Sequence, residues 1–145
     1  MKRKHTVMLR YAFLPDFKSG PKLLLWGDNT DMLTLSAFLR QMAVAPREVR
    51  LSEVGFCSAA GDTVIVVPQK GAAGGVTRVQ GEEKAFCWEL DASSAEWFAE
   101  LIHVLAEPSR CGHQYLEHLR SSGDIIVMAS CGEYPDDLIS RDLGR

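Results

Sequence analysis

No stretch of the chain reaches the ~20 consecutive apolar residues that a membrane-spanning helix requires, so a membrane span is not expected. The start "MKRKHTVMLRYAFLPD" is basic but does not read as a secretory signal. Arg10 interrupts its short apolar run, and no small-residue cleavage site follows. The four cysteines, Cys57, Cys87, Cys111 and Cys131, include no close pair. That spacing argues against a zinc ribbon and against a disulfide scaffold, and it fits reduced thiols in a cytoplasm. G-x-S-x-G, H-E-x-x-H and D-x-D-x-D-G are all missing, as are internal repeats and low-complexity tracts. Nothing in the sequence calls for a cofactor. Trp26, Trp88 and Trp97 fall on expected core faces and do not alternate with basic residues, so base stacking is not supported.

What is present is an ordinary globular composition. Hydrophobic residues make up 46% and charged residues 24% of 145 positions, which suits one folded domain over residues 1–145 and not a disordered chain. A chain of this length buries roughly 68–70% of its unfolded surface without staples. The net charge of −3 is unevenly spread. Six of the 16 Lys and Arg residues lie within residues 1–22, where Asp16 is the sole acid. The body and the C-terminal segment "GEYPDDLISRDLGR" are acidic. An acidic body repels phosphate backbones, so nucleic acid is not favoured as a partner.

Patterning predicts an α+β domain. "TVMLRYAFL" (6–14), "KLLLWG" (22–27), "REVRLSEV" (47–54) and "DTVIVVP" (62–68) read as strands, the last as one buried on both faces. "GVTRVQ" and "EKAFCWEL" flank Gly81 as a hairpin. Residues 28–43 carry helical period, with Leu35, Phe38, Leu39 and Met42 on one face and Asp28 or Thr30 as cap. Residues 93–108 read as a second helix. Ser93 and Glu96 form its capping box, and Trp97, Phe98, Leu101, Ile102 and Leu105 its apolar stripe. The expected architecture is about seven strands in a mostly antiparallel or mixed sheet, with two main helices on one face.

The segment "CGHQYLEHLRSSGDIIVMASCGEYPDDL" (111–138) holds the candidate site. Residues 113–130 predict a hairpin about "RSSG", whose paired indices sum to about 243. Parity then decides the chemistry. An even sum places Cys111, His113, Cys131 and Glu133 on one face. An odd sum sends the first two and the last two to opposite faces. Zinc is disfavoured, because only His113 and His118 have suitable spacing and they face opposite sides of a strand. Two readings remain. In one, His113 and Glu133, assisted by Tyr115 or Cys131, serve a small enzyme or ligand-binding site. In the other, His113, Tyr115 and Glu133 form a hydrogen-bonded knot that pins the last hairpin.

The glycine-rich "PQKGAAGGV" (68–76) leads into a strand, not a helix, so it reads as a loop and not a phosphate cradle. Asp28 and Asp31 read as helix-capping residues, and His103 as a structural histidine. Two functional classes follow. The favoured one is a non-catalytic binding module of the accessory, inhibitor or immunity type, with Asp136 and Asp137 as candidate partner surface. The other is the enzyme or ligand-binding protein with its site at the open end of the hairpin. Sequence alone leaves the oligomeric state open.

Overall fold

The computed structural model describes residues 8–69, 75–107, 111–117, 124–135 and 138. They form an α+β fold of two helices and nine strands, and the strands divide between two mixed sheets. The first sheet contains β1 (Leu9–Leu14), β2 (Lys22–Gly27), β4 (Cys57–Ala59), β8 (Gly112–Leu116) and β9 (Ile126–Cys131), in the order β4-β1-β2-β9-β8. The second contains β3 (Val49–Arg50), β5 (Val64–Val67), β6 (Gly75–Arg78) and β7 (Ala85–Glu89), in the order β3-β5-β7-β6. The α+β class and mixed pairing expected from sequence are present. One sheet of about seven strands becomes two sheets, because β1 pairs with β2 and β4 whereas β5 pairs with β3 and β7.

Helix α1 (Asn29–Val44) starts where the sequence places it. Asp28 accepts from the Asp31 amide at 2.9 Å, and the Asp31 carboxylate accepts from the Asp28 amide at 2.9 Å, a closed capping box. Leu35, Phe38, Leu39 and Met42 are buried on its inner face. Helix α2 (Ala92–Leu105) is capped two residues earlier than predicted. Its cap is Asp91, which accepts from the Ser94 amide at 2.7 Å, so the Ser93–Glu96 box is not formed. The Ser94 amide thereby has its acceptor, and Ser94, Ala95, Phe98, Ala99, Ile102 and Leu105 are the buried residues of the helix. Trp97, assigned to the core from its periodicity, is instead 53% exposed. His103 also lies on the solvent side.

The helices are tied together by the Ser36 hydroxyl donating to the Ala99 carbonyl at 2.8 Å, and by Arg40 pairing with Glu100 at 3.1 Å. They cover one face of the five-stranded sheet, and the main core joins Leu9, Tyr11, Leu23, Leu25, Val127, Ala129 and Cys131 to both helices and to Phe86 and Trp88 of the second sheet. The other face of the five-stranded sheet carries a smaller core of Ala12, Leu14, Leu24, Trp26 and Met128, joined by Leu138 and flanked by Phe17 and Tyr134. Two other sequence expectations are modified. The strand over 47–54 shrinks to Val49–Arg50, because the chain turns into a 3₁₀ segment at Leu51–Glu53. In β5, Ile65 and Val67 are buried while Val64 and Val66 are half-buried, so one face only is fully enclosed.

Candidate functional site

The site grows from the register of the last two strands. Gly112 faces Cys131, His113 faces Ser130 and Tyr115 faces Met128, so the paired indices have the odd sum. His113 and Ser130 therefore project from the face opposite the helices, and Cys131 projects into the main core. Glu133 escapes this alternation. After β9 the chain turns at Gly132, whose φ of +73° favours glycine, and the Gly132 amide donates to the Gly27 carbonyl at 2.9 Å. A side chain at position 132 would also bring its Cβ to 3.0 Å from Cys111 Sγ. The turn carries Glu133 back over the outer face, where its carboxylate lies 3.0 and 3.2 Å from His113 Nδ1. The buried Ser130 hydroxyl donates to the same carboxylate at 2.7 Å. The Tyr115 ring meets the His113 ring edge-on, with centroids 5.4 Å apart.

Three of the four sequence candidates, His113, Tyr115 and Glu133, are thus adjacent. Cys131 is not among them. Burial, then the charges of Cys111, Asp28, Asp31 and Glu133, push its thiol pKa up, which opposes thiolate formation. Asp136, Asp137 and His118 lie outside the described residues. Ser130 was missed, because the approximate index sum left open whether it or a neighbouring residue lies opposite His113. Trp26 ties the segment beyond Glu133 to the sheet, donating from Nε1 to the Pro135 carbonyl at 3.0 Å.

The chemistry open to this cluster is limited by the direction of its hydrogen bonds. Nucleophilic catalysis needs the base between the hydroxyl and the carboxylate. Here the carboxylate stands between Ser130 and His113, so Ser130 has its proton committed to Glu133 and not to the imidazole. Among the described residues, no group of three His, Cys, Asp or Glu side chains is placed to hold a metal ion. The cluster works as a clamp on the end of the hairpin. Replacing Glu133 with alanine strands the buried Ser130 hydroxyl and is expected to cost about 1–3 kcal/mol in urea unfolding. Adding Ser130→Ala should return part of that loss. Equal stability of wild type and Glu133→Ala would show that the clamp contributes nothing.

Beside the clamp runs a groove of about 200 Å³ between α2 and β8, lined by Leu101, Val104, Leu105, Cys111, Gly112, His113 and Gln114. Trp97 and Val104, each 53% exposed, continue its helical wall. A separate hollow of about 320 Å³ lies between the C-terminal end of α1 and the start of α2, against Pro68, Gln69 and Asp91. It is larger, but its carboxylate is already used in capping α2. The groove at β8 is the better candidate because an exposed apolar ridge, a strand edge left open among the described residues and the clamp meet there. Among the described residues no helix is long and apolar enough to cross a membrane. The chain matches no protein family, and neither a curated protein nor a solved structure is significantly similar to it.

Proposed function

We propose that this protein is a non-catalytic protein-recognition module of the accessory, inhibitor or immunity kind, working in the cytoplasm through the edge formed by β8 and α2. The observation that carries this reading is the pairing of an open strand edge with an apolar ridge. Strand β8 ends the five-stranded sheet, and among the described residues nothing pairs with its outer side. Unpaired backbone groups on an edge are a template for another strand, while a neighbouring groove takes the side chains of the added segment. Exposed tryptophan is the residue type most often found to anchor protein interfaces. Four free cysteines, two of them buried in the core, support a reducing compartment. The enzymatic alternative has less support, since Cys131 faces away from His113 and Ser130 donates to Glu133.

The test is affinity capture from the native cells at moderate salt, comparing wild type with a Trp97→Lys/Val104→Lys variant. A protein retained by wild type and lost by the variant supports recognition at this edge. Equal retention by both moves the recognition surface elsewhere.

A further inference from the structure

We infer that the turn joining β1 to β2, residues 15–21, is a latch with separate shut and open states, and that its shut state braces the segment following β9. The shut form is strained. Lys18 and Ser19 stand at φ of +52° and +70°, two successive side-chain-bearing residues in the left-handed region. Crowding of Cβ against the carbonyl oxygen disfavours that region for all residues but glycine, and it persists only where the surroundings impose it. Here they are imposed by Lys22, whose side chain is buried in an interior strand. It is only 4% exposed, with Leu14 of β1 on one side and Ile126 of β9 on the other. An ammonium so enclosed needs acceptors. Among the described residues it finds them in the turn alone, donating from Nζ to the Lys18 carbonyl at 3.2 Å and the Gly20 carbonyl at 3.4 Å. The Gly20 carbonyl also accepts from the Phe17 amide at 2.9 Å. Strained backbone and buried cation therefore hold each other. When the turn opens, the four-carbon stem of Lys22 can carry its ammonium out to water, so the open state strands no charge.

Phe17 carries the state of the turn to the C-terminal segment. Its ring meets the Tyr134 ring edge-on, with centroids 5.6 Å apart, and both flank the smaller core on the outer face. Tyr134 sits between two other fastenings of that segment. Before it, the Glu133 carboxylate accepts from Ser130; after it, the Pro135 carbonyl accepts from Trp26 Nε1. Lys22, Leu24 and Trp26 alternate onto one face of β2, so the latch and the Pro135 fastening stand on the same strand. Opening the turn withdraws Phe17 and removes the brace on Tyr134 while β2 itself stays paired.

The measurement is amide hydrogen exchange of the full chain at neutral pH, read at the Phe17 amide. The amide of Leu39, buried inside α1, serves as the reference for global opening. Lys22→Met keeps an unbranched side chain on β2 and removes the ammonium. The Phe17 amide should then exchange about 10-fold faster or more, while Leu39 keeps its rate. Ser19→Gly relieves one left-handed residue and should slow Phe17 exchange by about 3-fold. The Tyr134 ring resonances should shift in Lys22→Met. Phe17 exchange that is no faster in Lys22→Met, or that accelerates together with Leu39, overturns the latch. Exchange in Ser19→Gly at or above the wild-type rate also overturns it, and decides alone if Lys22→Met does not fold. Tyr134 resonances that stay in place while Phe17 is released overturn the brace.

Discussion

Replacing Gly27 with alanine is expected to destabilise the fold by about 2–4 kcal/mol, from overpacking together with damage to a helix cap. Gly27 ends β2, one residue before the α1 cap. A methyl group built there sits 2.7 Å from Asp31 Cβ and 2.8 Å from its Cγ, and closer still to Oδ2. Asp31 cannot easily yield. Its carboxylate accepts from the amides of Asp28 and of Met8, at 2.9 and 3.0 Å, so one side chain joins the start of α1 to the start of β1. Moving it breaks both bonds and leaves a poorly solvated carboxylate, whose pKa burial already raises. The melting temperature should fall by roughly 6–15 °C for a domain of this size. The control is Asp31→Gly, which removes the obstructing atoms. Gly27→Ala should cost far less in that background, and an equal cost in both would disprove the packing explanation.

The second large effect is alkaline. Cys57 is buried at the start of β4, and burial, followed by the negative charge of Asp31, pushes its thiol pKa from 9.0 up to about 12. Its proton is therefore bound more tightly in the folded than in the unfolded chain. The resulting stabilisation is complete below pH 9 and is lost as pH rises from 9.0 through about 12. A shift of this size corresponds to about 4 kcal/mol across the window. Tyr11 acts in the same direction, its pKa raised by burial and then by Cys57. Urea unfolding between pH 8 and pH 11 should show a falling midpoint, and Cys57→Ala should flatten much of that fall. A thiol reagent at pH 8 should modify exposed Cys111 well before Cys57. A midpoint that is level with pH, or rapid labelling of Cys57 in the folded protein, would contradict this account.

Local chemistry made several elements legible in advance. β2 was bounded by its apolar run, α1 by Asp28 and its inward face, and the β6–β7 hairpin by Gly81, which has a φ of +85°. The hairpin centre also held, with paired indices summing to 243, but the parity that separates Cys131 from His113 was left open by the sequence. What failed depended on distant context. The apolar stripe of α2 included Trp97 because periodicity records which residues are apolar, not which of them a neighbouring element covers. The three-residue strand β4 is too short to show a pattern, and it exists because β1 offers Leu9, Arg10 and Tyr11 as parallel partners. Glu133 reached His113 through a turn at Gly132 that alternation alone does not describe. Ser130 could have been named only with the parity in hand. That its proton goes to Glu133 could not, and this direction weighs against the triad reading.

The parallel pairing of β2 with β9 also constrains how the chain acquires its structure. Lys22 lies beside Ile126 and Gly27 beside Cys131, so neighbours inside one sheet come from nearly opposite ends of the sequence. Until residues 126–131 have been synthesised, β2 has β1 on one side and an open edge on the other, and β8 has no strand to join. The helix pair and the second sheet can assemble earlier, since their strands and helices all precede residue 106. Closing so long a loop is slow relative to local pairing. The growing chain therefore leaves one edge of the Leu23, Leu24 and Leu25 strand unpaired for most of its synthesis, and the last strand to arrive is the one that closes it.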